Sequence, residues 1–129
     1  MPIRYELDRE AKLIDTRCEG AVTFAEVLAH FDELAGLAPL PSPLDVLLDL
    51  SAQTSLPETP QITAVASALE RLGAVADWGA WAIVAADDAL YGMLRMFQVF
   101  AEDHVRELQV FRERSEAESW LRAQRAEPR

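Results

Sequence analysis

Residues 44–49 read Leu-Asp-Val-Leu-Leu-Asp, an apolar run that stops at an acid and leads into Leu-Ser-Ala-Gln-Thr. A second run, residues 80–86 (Ala-Trp-Ala-Ile-Val-Ala-Ala), stops in the same way at Asp87-Asp88. Runs this short and this apolar suit strands covered on both faces, and such strands belong to parallel sheets sandwiched between helices. The two segments therefore set the architecture, and the rest of the chain is read around them.

Upstream, Ile3-Arg4-Tyr5-Glu6-Leu7 alternates apolar and polar residues, as a half-exposed strand does. A turn at Asp8-Arg9-Glu10 leads to a second strand over residues 13–19, and so short a connection requires an antiparallel hairpin. Thr23-Phe24-Ala25-Glu26 has the spacing of a capping box and opens a helix that Gly36 ends. Its apolar face carries Phe24, Val27, Leu28, Phe31, Leu34 and Ala35, with Glu26, His30 and Glu33 pointing elsewhere. A proline-rich link, residues 38–43, precedes the first central strand, and a polar loop over residues 51–59 follows it. Thr59-Pro60 reads as cap and first helical residue, where a missing N–H costs nothing. Ile62, Val65, Ala66, Leu69 and Leu72 form the buried stripe of that helix.

After the second central strand, residues 88–102 read as a helix and residues 105–112 as a fifth strand. Ser115-Glu116-Ala117-Glu118 has capping-box spacing and opens a short final helix that packs Ala117, Trp120 and Leu121 inward. The expected order is ββαβαβαβα, an α/β fold with a mostly parallel five-stranded sheet, an antiparallel N-terminal edge strand and four helices. Residues 1–122 form one domain on this reading, and residues 123–129 a polar tail that frays.

The chain has 129 residues and a net charge of −10, which repels nucleic-acid phosphates and anionic membrane surfaces. No apolar run reaches spanning length, so no membrane insertion is expected. The start, Met1-Pro2-Ile3-Arg4, lacks the apolar core of a signal peptide, and Cys18 is the single cysteine; a reducing cytoplasm is the expected location. Cys18 falls in a strand and reads as a small buried hydrophobe rather than a nucleophile.

The element order, the size, and Leu47-Leu48-Asp49-Leu50-Ser51 followed by a polar loop and a helix resemble the STAS/SpoIIAA-like family of anti-sigma factor antagonists and sulfate-transporter domains. The C-terminal half is most similar to bacterial SpoIIAA-like proteins of the STAS/SEC14 type. That likeness is carried by residues 83–88, by Tyr91-Gly92-Met93-Leu94-Arg95-Met96-Phe97, and by Val110-Phe111-Arg112 through Glu116-Ala117 to Trp120-Leu121. The resemblance implies a non-catalytic regulatory or ligand-binding module. In anti-sigma antagonists the loop after the equivalent strand carries Asp-Ser-Ser with a phosphorylated serine. Here that position reads Pro57-Glu58-Thr59, so Glu58 stands near the regulated serine and Thr59 is the adjacent hydroxyl. Glu58 imitates a phosphorylated state on one reading and complements a helix dipole on the other.

Loops leaving the carboxyl ends of parallel strands gather at one rim, where ligands sit in such sheets. That rim carries Asp49, Ser51, Thr54, Glu58, Thr59, Asp87 and Asp88 as candidates for a ligand or partner. If the two central strands are neighbours, Asp49 and Asp87 face one crevice, as an acid–base pair or as oxygen ligands for a hard cation. Equally, Asp88 reads as a helix cap and Asp49 as a strand end. His30 and His104 lack a second ligand at metal spacing, and there is no glycine-rich phosphate loop or nucleophile elbow; no cofactor, metal or catalytic residue is expected.

On the helix after the second central strand, Leu90, Met93, Leu94, Phe97, Phe100 and Ala101 make the core stripe, and Tyr91, Arg95, Gln98 and Glu102 a polar face. A further uncharged stripe, Gly92, Met96 and Val99, lies off the core. Either neighbouring loops cover it or a second copy of the chain does, and a close backbone approach would account for Gly92. Three functions are thus in view: a regulatory protein–protein interaction or homodimer, a carrier of a small apolar or lipid-like ligand, and an enzyme using the rim carboxylates.

Overall fold

A computed structural model describes residues 2–126. The expected order is met: β1 (Ile3–Asp8), β2 (Leu13–Gly20), α1 (Phe24–Gly36), β3 (Leu44–Gln53), α2 (Thr59–Leu72), β4 (Trp78–Val84), α3 (Asp88–Ala101), β5 (Glu107–Phe111) and α4 (Arg114–Ala126). A single 3-10 turn, Glu102–His104, joins α3 to β5. The strands lie side by side in chain order; β1 is antiparallel to β2, and β2 through β5 are parallel.

Several boundaries differ from the sequence reading, each for a visible reason. β3 extends through Gln53, three residues into the expected loop, because Ala52 and Gln53 still pair with Glu19 and Gly20 of β2. Gly20 ends β2 at φ +70°, a left-handed conformation that disfavours a side chain, and its carbonyl accepts from the Thr54 N–H. The cap of α2 is Glu58 rather than Thr59; Gln61 reaches back to accept from the Glu58 N–H at 2.8 Å. Asp87, not Asp88, caps α3 by accepting from the Leu90 N–H at 3.0 Å. β4 begins at Trp78 and β5 at Glu107, each two residues from the expected start.

Ser115 lies inside α4, so its capping box does not exist, and α4 continues through Ala126 where a fraying tail was expected. Arg125 accounts for that extension by reaching the carboxylate of Asp45 and the carbonyl of Ala11. Residues 127–129 of the expected tail lie outside the described residues. The Thr23–Glu26 capping box, being a local pattern, forms as the spacing predicts.

The sheet separates two unequal layers. One face meets α1, α2 and α3 through Ile14, Val46, Leu50, Trp81, Ile83 and Val110, among others. The opposite face meets α4 alone, through Leu47, Ala80, Ala82 and Val84 against Ala117 and Leu121. β4 shows the division most plainly: Trp81 and Ile83 face the three-helix layer, and Ala80 and Ala82 face α4. Small residues there let the helix approach the sheet closely. Asp45 sits buried at a bulge in β3, where its carboxylate accepts from the Ala80 N–H at 2.8 Å and from Arg125 at 2.6 Å. A buried carboxylate is tolerable only when satisfied in this way.

Candidate functional site

Between the sheet and the three-helix layer lies a cavity of about 410 Å³. Its floor is the inward face of β2, β3 and β4: Thr16, Cys18, Val46, Leu48, Leu50 and Trp81. α1 contributes Phe24, Val27, His30, Phe31 and Leu34; α2 contributes Gln61, Ile62 and Val65; α3 contributes Leu90, Leu94 and Phe97. The loop between β3 and α2 closes one end with Leu56, Pro57 and Glu58. Leu56 is 54 % exposed while lining the cavity, so the cavity reaches solvent at this loop.

The cavity exists because α1 does not seal against the sheet. Phe24, Val27, Leu28 and Phe31 are only half-buried, Ala35 is exposed, and Leu34 alone is fully buried. The resulting gap is lined by apolar groups and holds few polar ones. Among its lining residues there is no lysine or arginine, and Glu58 is the one carboxylate. His30, expected to point away, lines the cavity and packs against the Tyr5 ring at 5.2 Å between centroids. Burial pushes the His30 imidazole below its ordinary pKa, with Glu33 pulling the other way, so it is neutral at pH 7. Burial, with the charge of Asp49 adding, pushes the Cys18 thiol up to about 12; it behaves as an apolar wall group.

Trp78 and Trp81 are 3 % and 4 % exposed, line the cavity, and meet edge to face with centroids 5.1 Å apart. β4 starts at Trp78, which buries that side chain within the sheet. Neither indole N–H has a hydrogen-bond acceptor among the described residues. Two unpaired buried donors are unusual, since most buried polar groups find a partner.

The rim residues named from the sequence are dispersed. Asp49 alternates with the cavity-facing Leu48 and Leu50, so its carboxylate points to the α4 side. There it accepts from the Ser51 hydroxyl at 2.6 Å, the Ser51 N–H at 2.9 Å and Arg114 at 3.0 Å. Burial alone would raise the Asp49 pKa, but the bonds from Ser51 and Arg114 outweigh it and hold the group below the usual carboxylate range. Asp87 is engaged at the N-terminus of α3, a helix of the other layer, and exposed Asp88 pairs with Arg112. The expected crevice shared by Asp49 and Asp87 is therefore not formed: pleat alternation turns one to the α4 side, and capping holds the other. Thr54 and Thr59 are exposed, and Glu58 alone of the seven lines the cavity. Among the described residues no group of three or more His, Cys, Asp or Glu is placed to hold a metal ion.

On α3 the expected stripes are rearranged. Phe100, assigned to the core, is 43 % exposed, and Tyr91, assigned to the polar face, packs against the core with Arg112 over its ring at 5.0 Å. Met96 also packs against the core, whereas Gly92 and Val99 are exposed, Val99 at 66 %. A Cβ added at Gly92 would meet nothing within 4 Å, so no close approach inside the chain accounts for this glycine.

Val27, Phe31, Leu34, Ile62, Val65, Leu90, Leu94 and Phe97, which the sequence places on inward helix faces, line the cavity. The alternation of Trp81 and Ile83 with Ala80 and Ala82 marks two differently covered faces of the sheet but not the gap beneath one of them. No protein-family model matches this chain, and no curated protein matches it. No helix among the described residues is long and apolar enough to cross a membrane.

Proposed function

We propose that this protein is a non-catalytic binding module that holds a small apolar molecule in the cavity between its sheet and α1–α3. The observation that carries the reading is the cavity itself. At about 410 Å³, apolar on most of its wall and open at one loop, it has the size and character of small-molecule sites, which run from roughly 300 to 1,000 Å³. Four of the carboxylates are committed elsewhere: Asp49 and Asp15 to Arg114, Asp45 to Arg125, Asp87 to the start of α3. The resemblance to STAS/SpoIIAA-like proteins of the SEC14 type supports the same reading, as does a free, buried Cys18 for a reducing cytoplasmic setting. Organic extraction of the purified protein followed by mass spectrometry is expected to recover a small apolar molecule in near-stoichiometric amount. Recovery of nothing, together with no uptake of a neutral hydrophobic dye by the stripped protein, would overturn the proposal.

A second reading, self-association through α3, is favoured by the exposed Val99 and Phe100 beside the open Gly92. It expects a dimer mass in sedimentation at micromolar concentration, reduced to a monomer by Val99→Asp. A monomer in the unmodified protein would remove it.

A further inference from the structure

Resting on the binding role just proposed, the occupant's chemistry follows from one floor residue. We infer that the cavity takes an uncharged apolar alcohol, its hydrocarbon body against the wall and its hydroxyl hydrogen-bonded to that of Thr16. Among the described residues, Thr16, Asp45 and Asp49 are the buried polar or charged ones. Asp45 accepts from the Ala80 N–H and Arg125, and Asp49 from Ser51 and Arg114. The Thr16 hydroxyl has no partner among the described residues, although Thr16 is only 3 % exposed. Most buried polar groups in folded proteins are paired, so this one stands out.

The hydroxyl opens onto the cavity. Pleat alternation puts Thr16 on the same face of β2 as Ile14 and Cys18, and all three line the cavity; Asp15, on the other face, goes to Arg114. The unpaired side-chain polar atoms that are sealed from open space are the indole nitrogens of Trp78 and Trp81. The Thr16 oxygen, unpaired as well, is not among those sealed atoms, and the space that Thr16 lines is the cavity.

The surrounding wall selects an alcohol. Thr16 pairs across the sheet with Tyr5, whose ring carries neutral His30, so a second uncharged group that both donates and accepts stands near the first. An alcohol hydroxyl also does both, whereas a carbonyl only accepts. Other polar lining residues have bonds within the chain: Thr23 with Glu26, Gln53 with Ser55 and Gln61 with Glu58. A carboxylate or phosphate would lose its hydration and find no lysine or arginine in the wall. It would also meet Glu58 at the solvent-facing end and a chain of net charge −10.

The test uses four ten-carbon probes on the full chain stripped of endogenous ligand: decane, 1-decanol, 2-decanone and, at pH 8 where it is ionised, decanoate. Affinities come from displacement of a neutral fluorescent dye. Thr16→Val replaces an unpaired hydroxyl by a methyl group of the same shape, so the unliganded variant should melt no lower than the parent. The ratio of decanol to decane affinity should fall roughly three- to tenfold in Thr16→Val, the loss of one hydrogen bond, and stay near the parent's in Thr16→Ser. In the parent, 2-decanone should bind less tightly than decanol, and decanoate weakest of the four. An unchanged ratio in Thr16→Val, a lower melting temperature of that variant, or tighter binding of 2-decanone or decanoate than of decanol would overturn this inference while leaving the binding role intact. Binding of none of the four would overturn both.

Discussion

Arg114 stands at the first position of α4, where the positive end of the helix macrodipole opposes a cation. Two strand carboxylates reverse that preference: Asp15 accepts from Arg114 at 2.6 Å and Asp49 at 3.0 Å. Burial lowers the Arg114 pKa, yet the bonds it donates to Asp15 and Asp49, with their charges, more than compensate and raise it. Arg114→Ala would leave Asp49 buried with only Ser51 as partner, and we expect a loss of about 2–3 kcal/mol in unfolding free energy by urea denaturation. Arg114→Lys should lose less, keeping the charge without the forked geometry. The Asp49 carboxyl is depressed in the fold, so its contribution is complete above the ordinary carboxylate range. It is lost as pH falls below about 4 through the lower folded value. The acid limb of the stability curve should therefore flatten in Arg114→Ala, and an unchanged limb would show that Ser51 alone sets the Asp49 pKa. None of this was legible in the sequence. Thr23 and Glu26 could be paired from their spacing, but Asp49 and Arg114 are 65 residues apart and carry no local pattern that joins them.

At the scale of elements, β3 and β4 were recognisable as buried strands because both their faces are covered. What the reading missed is that the two coverings differ in depth. Ala80 and Ala82 lie under α4 at 2 % and 0 % exposure, whereas Trp81 and Ile83 fill the space beneath three helices. α4 is short on apolar residues: Ala117 and Leu121 are buried and Trp120 packs on Phe111, with Arg114 and Arg125 fastening the two ends to strand carboxylates. The end of α4 was misplaced for the same reason, since a polar sequence near a terminus reads as a tail unless the distant Asp45 is known to receive Arg125. Ala82→Leu should then destabilise by about 1–3 kcal/mol through overpacking beneath α4, measured by thermal and urea unfolding. The added methyl groups lie on the far side of the sheet from the cavity, so uptake of a neutral dye should persist in the folded fraction. Dye binding lost in parallel with stability would mean that the two layers are not independent.

For the whole molecule, the element order and the mostly parallel sheet were readable because short links between alternating strands and helices leave few topologies. The cavity was not, because it depends on how far α1 stands from the sheet, a distance no residue pattern encodes. Its trace is the run of half-buried apolar residues on α1, which a helix pressed fully into a core would not show. Val27, half-buried and part of the cavity wall, offers a direct check. Val27→Trp places an indole in the empty volume without cutting into the central strands. Filling a void of this kind commonly gains about 0.5–2 kcal/mol, so the unliganded variant should unfold at the same or a higher temperature than the unliganded parent. A ligand at a hundred times its Kd stabilises the parent by about 2.7 kcal/mol and should add nothing to the variant. The two proteins would then cross in thermal stability as ligand is titrated, the parent overtaking the variant. Parallel curves at every ligand concentration would place the bound molecule somewhere other than between α1 and the sheet.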